Sequence, residues 1–101
     1  MEWTQADFEP HLNEIFRVRP AGSSEGLREV ELLLVEVSGH RQGSLESFSL
    51  LFRGPREGVF RHDTHAVSHP VLRSLDLFMG PIHSAKTDGV YYQAVFTRLR
   101  D

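Results

Sequence analysis

The segment RHDTHAVSHP, residues 61–70, holds His62, His65 and His69, three of the chain's six histidines, with Asp63 among them. Imidazoles and a carboxylate are the side chains that bind zinc and related metals, at about 2.0–2.1 Å per nitrogen. Whether these can share one ion depends on the backbone beneath them. On a helix, positions 62, 65 and 69 lie on one face. On a strand, His62 and His65 point to opposite faces. His65 and His69 then share a face but stand roughly 13 Å apart, too far for one ion. Pro70 disfavours helical dihedrals at His69, and the β-branched Thr64 and Val67 also suit a strand. The segment therefore reads as a polar edge strand bearing solvated or hydrogen-bonded histidines. A metal site using His62, His65 or His69 needs help from another strand, with His83 or His40 as the candidates.

Other catalytic patterns are missing. The sequence has no G-x-S-x-G elbow, P-loop, G-x-G-x-x-G or H-E-x-x-H. Glu29 and Glu31 share one strand face and read as a solvated edge. There is no cysteine, which excludes disulfides, thiolate catalysis and Cys-based zinc sites. The expectation is a protein that is not an enzyme and holds no cofactor.

The elements around the cluster read mainly as strands. Thr4 and Asp7 make a capping box with a short acid, and Pro10 stops that helix after little more than one turn. Trp3, Phe8 and Leu12 can seat the turn as a plug over an open sheet end. In residues 13–19, Phe16 and Val18 alternate with Arg17 and Arg19. Residues 20–26 form a loop. In 28–38 the alternation breaks: Val30 and Leu32 have one parity, Val35 and Val37 the other. A bulge near Leu33–Leu34 restores one inward face; burial on both sides is the alternative. Residues 39–44 turn the chain. In 46–53, Phe48, Leu50 and Phe52 face inward. Residues 54–58 end that strand. Short strands follow near 64–69 and over 72–82, where Leu75, Leu77 and Met79 share a face opposite Asp76 and Phe78. The loop 83–89 leads into 90–99, apolar on both parities, as suits a central or barrel-closing strand. The echo of LFRGP (51–55) in LFMGP (77–81) reads as two strands with the same Gly-Pro stop.

About six short strands separated by turns predict an all-β fold: one antiparallel sandwich or barrel over residues 1–101, with a short N-terminal helical turn. At 101 residues and a net charge of −3, with 40% hydrophobic and 25% charged residues, the chain has ordinary globular composition. That balance argues against electrostatic binding of nucleic acid. No apolar run reaches the ~20 residues of a membrane helix, and MEWTQADFEP lacks a signal-peptide core. The expectation is a soluble protein, cytoplasmic as synthesised, able to join an exported or surface assembly.

The blocks FSLLFRGP (48–55), THAVSHPVLRSLDLFMGPI (64–82) and VYYQAVFTRL (90–99), with ADFEPHLNEIFRV near the start, resemble a family of small uncharacterised bacterial proteins. Its members resemble one another in an FSLLFRGP-like block, His-Pro before L-x-x-L-D-L-F, and a Y-x-A-V-F close. The resemblance implies an occurrence beside phage-tail-collar proteins of the microcystin-dependent type. It supplies no catalytic residues. His69 and Pro70 match the family pattern, His65 stands where an aromatic is usual, and His62 has no counterpart. His69-Pro70 thus reads as a structural corner.

The resulting expectation is a non-enzymatic structural or interaction module, accessory to a phage-tail-like or pilus-like assembly. A protein partner is expected, with a tail-collar-domain protein as the candidate, and self-association is an option. Arg53, Phe78, Met79 and Tyr91 are the candidate contact residues. The alternative is a small-ligand or metal-binding β-barrel using clustered histidines.

Overall fold

Alternating apolar side chains draw six segments into strands, and a computed structural model shows how they close. It describes residues 3–19, 29–56, 60–83 and 87–99, with residues 98 and 99 described by backbone alone. The strands are β1 (Ile15–Arg19), β2 (Val30–Gln42), β3 (Leu45–Gly54), β4 (Asp63–His69), β5 (Arg73–Pro81) and β6 (Val90–Leu99). Every pairing is antiparallel. The order β1-β2-β3-β6-β5-β4 is a closed barrel, with β4 returning to β1. Of the two architectures the alternation allowed, the barrel is the one adopted. The loop 20–26 and residues 57 and 58 of the 54–58 turn lie outside the described residues.

Period-two burial fills the interior. Phe16, Val18, Leu32, Leu34, Leu50, Phe52, Met79 and Tyr92 are fully enclosed. Two aromatic plugs close the ends. Thr4 caps α1 (Gln5–Phe8), its N–H and hydroxyl both donating to the Asp7 carboxylate at 2.8 and 3.0 Å. A 3₁₀ turn over Glu9–His11 takes up Pro10 at its start, where a missing N–H costs nothing. This segment drives Phe8 among Phe16, Phe48 and Phe96, with ring centroids 5.8–6.5 Å away. Trp3 packs on Phe8 at 5.7 Å. At the other end, Phe60 stacks on Tyr92 at 4.2 Å.

Several expectations are corrected. Leu12 is not part of the plug; it is exposed, because the 3₁₀ turn swings it outward. The bulge lies one residue later, between Leu34 and Glu36, so Val35 is the extra residue. The 39–44 turn is shorter, because β2 runs on to Gln42 opposite Leu45. Gly43 takes the left-handed conformation at φ 61°. β4 is not an edge: β1 pairs on one side and β5 on the other. Its inward parity therefore buries His65 and His69 with Val67.

Candidate functional site

β4 ends where the barrel turns into β5, and His69 organises that corner. Its Nδ1 accepts the Val71 and Leu72 N–H groups at 3.1 and 3.3 Å. Arg73 completes the corner at φ 67°, a left-handed conformation costly for a non-glycine residue. His69-Pro70 thus marks a corner whose backbone donors are satisfied by the histidine itself.

The other ring nitrogen reaches the start of the neighbouring strand, β1. His69 Nε2 lies 2.8 Å from Glu14 Oε1. The same oxygen lies 2.8 Å from His11 Nδ1. Asn13, in the left-handed region at φ 68°, turns the chain between the 3₁₀ segment and β1 and so places both residues. Asn13 N–H donates to the Leu34 carbonyl at 2.7 Å, and Leu34 N–H donates to the Glu14 carbonyl at 3.1 Å. β1 pairs with β4 and brings Glu14 to the His69 corner. The His11 and His69 rings meet edge to face at 4.5 Å, and His69 lies over Phe16 at 4.6 Å.

Proton positions follow from these partners. A carboxylate only accepts, so each imidazole must donate to Glu14. His11 therefore carries its proton on Nδ1. His69 carries it on Nε2, in agreement with an Nδ1 that accepts two N–H groups. Hydrogen bonds from His11 first and His69 second hold the Glu14 carboxyl below its ordinary range. The donor atoms of His11, Glu14 and His69 lie within 4.8 Å of one another, close enough to suggest a cation site. A metal on His69 Nε2, however, requires the ring proton on Nδ1, facing two backbone donors. Metal-bound histidines instead aim that second N–H at an acceptor. The chemistry of the trio is that of a latch joining the N-terminal plug, β1 and the β4–β5 corner.

The expected histidine set does not assemble. His65 is buried at the far end of β4, with Nε2 donating to the Arg61 carbonyl at 2.8 Å and the ring against Phe60. His62 precedes β4 and packs against Gly80, where no Cβ would fit. His40 and His83 are exposed. Sequence reasoning missed His11 and Glu14; the available signal was H-x-x-E next to a strand start. Glu29 and Glu31 are surface partners of Arg19 and Arg17, at 3.9 and 3.5 Å.

The contact candidates separate. Phe78 is 63% exposed, whereas Met79 is 0% exposed and belongs to the core, so Met79 is withdrawn as a contact residue. Tyr91 is also buried, but its hydroxyl donates to Asp88 at 2.9 Å. Arg53 Nη1 donates to the same carboxylate at 3.1 Å. Tyr91 first, and Arg53 after it, hold the Asp88 carboxyl below its ordinary range. Arg53 and Tyr91 thus converge on a strand-linking cluster beside the close approach of Gly89 to the Gly54 carbonyl.

Residues 3–96 match the Domain of unknown function DUF6916. The chain belongs to the DUF6916 family. No curated protein and no solved structure matches it.

Proposed function

We propose that this DUF6916 protein is a non-enzymatic interaction module, accessory to a phage-tail-like or pilus-like bacterial assembly. The partner is a protein, with a tail-collar-domain protein as the candidate. The observation that carries this reading is where apolar surface is used. The barrel interior is filled with side chains, while Phe78 and Val95 stand 63% and 58% exposed on the wall. Each lies one residue beyond the last β5–β6 pair, Met79 opposite Ala94, with outward parity. Large apolar side chains held outward favour protein contact. The resemblance to small proteins found beside tail-collar proteins supports the partner class.

The test is co-migration of the purified chain with a purified tail-collar-domain protein encoded beside it. A stoichiometric complex, weakened by Phe78→Asp with unchanged circular dichroism, is expected. Separate elution at concentrations of tens of micromolar, about the range of a weak specific complex, overturns the reading.

The alternative, a metal-binding barrel, has its donor set in His11, Glu14 and His69. The His69 tautomer weighs against it. Titration of untagged protein with zinc or nickel is expected to show no tight stoichiometric site; one that is lost in His69→Leu reverses this preference.

A further inference from the structure

We infer that the outer edge of β6 is a self-pairing edge, which joins two copies of the chain through antiparallel β6–β6 contact. β3 accompanies β6 along its whole length, from Gly54 opposite Val90 to Leu45 opposite Leu99. β5 does not. Its register with β6 stops at Met79 opposite Ala94. From Val95 onward, the β5 side of β6 therefore has no partner strand among the described residues.

The direction of the backbone groups follows from one hydrogen bond. Ile82 N–H donates to the Tyr91 carbonyl at 2.9 Å, so the polar backbone of Tyr91 points toward β5. Strand periodicity gives Gln93, Val95, Thr97 and Leu99 the same direction. Gln93 is matched by Gly80. Val95, Thr97 and Leu99 present their N–H and C=O groups to a side with no partner strand among the described residues. Only an extended strand supplies donors and acceptors at that repeat.

A second copy fits this edge by parity. A two-fold axis at Thr97 sets Thr97 opposite Thr97 and Val95 opposite Leu99. All three residues face the edge, so every such pair exchanges both backbone hydrogen bonds. Thr–Thr and β-branched cross-strand pairs are favourable ones. Val95 is already exposed on the outer face.

The other long edge is protected. Beyond Leu34, β2 leaves β1 and carries the bulge, then Gly39, His40 and Arg41, with Gln5 of α1 against Gly39. Bulges, charges and a covering helix are the usual guards of an edge strand. Val95, Phe96 and Thr97 carry no bulge, charge or proline, and α1 meets them at the Phe96 ring, through Phe8.

This inference rests on the reading of the protein as an interaction module and names a second copy as one occupant of its surface. Sedimentation equilibrium of the full chain over a hundredfold concentration range tests it. Twice the monomer mass is expected at the upper end. Val95→Lys, an outward substitution, and Thr97→Pro, which deletes an edge-facing N–H, should each shift the protein to monomer with circular dichroism retained. If Thr97→Pro unfolds, Val95→Lys decides. A wild-type monomer throughout overturns the inference, as does a dimer that survives Val95→Lys. A monomer that still captures the tail-collar protein overturns edge pairing alone and leaves the proposed function standing.

Discussion

His69 Nε2 lies 2.8 Å from Glu14 Oε1, a hydrogen bond that spans 55 residues of chain. Through His11 on the same oxygen, it fastens the N-terminal plug to the corner between β4 and β5. The bond is set by the β1–β4 seam, and the buried His69 ring has no solvent to replace it.

His69→Leu should therefore destabilise the fold despite similar volume. It strands the Val71 and Leu72 N–H groups at the corner. The corner is partly exposed, so the loss is that of ordinary hydrogen bonds, about 0.5–1.5 kcal/mol. Urea denaturation measures the difference; a change within about 0.5 kcal/mol, as for an ordinary surface site, contradicts the corner's dependence on Nδ1.

Acid should act on the latch through Glu14. The folded-state carboxyl lies below its unfolded value, held there by His11 and His69. The unfolded state thus binds the proton first. The latch contribution is complete above the ordinary glutamate pKa of about 4.3 and is lost as pH falls through the lower folded value. The melting temperatures of wild type and Glu14→Gln should differ by a constant amount near neutrality and converge below about pH 4. A gap that widens on acidification reverses the sign and refutes this assignment.

Tyr92 is fully enclosed, and its hydroxyl has no partner of hydrogen-bonding geometry among the described residues. Burial raises its phenol pKa, offset in part by the nearby Phe60 backbone. Tyr92→Phe keeps the stack on Phe60 and deletes the unmet oxygen. It should raise stability by about 1 kcal/mol. A loss of similar size would mean that the Phe60 backbone bonds the hydroxyl after all.

Met79 and Phe78 are neighbours in sequence with opposite fates. Met79→Ala opens a cavity in the barrel and should cost about 2–5 kcal/mol. Phe78→Ala should fall within about 0.5 kcal/mol. Thermal denaturation of the pair checks it, and equal costs would contradict the inward parity of β5.

The strand set was legible because its physics is local. Alternation in 46–53 and 72–82 predicts which residues face inward, and the parity break near Leu33–Leu34 marks a bulge observed at Val35. That same parity placed Met79 with Leu75 and Leu77; naming it a contact residue went against the pattern. The site was not legible. His11 and Glu14 join His69 only because β1 closes against β4, a pairing that no local periodicity encodes. Closure also removes the edge assumed for β4, so of solvated or hydrogen-bonded histidines it is the hydrogen-bonded kind, buried, that His65 and His69 provide. Pro70 did report its part correctly: His69 is extended and the chain turns there.

The strand order has a consequence for biosynthesis. β6, the last strand in chain order, lies between β3 and β5 rather than at a margin. Before β6 is made, the β1–β4 seam can join the other five strands into one sheet, but that sheet stays open, with β3 and β5 as unpaired edges. Long-range pairing of this kind slows folding and leaves unpaired strands prone to aggregation. Chains truncated before β6 should accordingly be good chaperone substrates, and chains that include β6 should not.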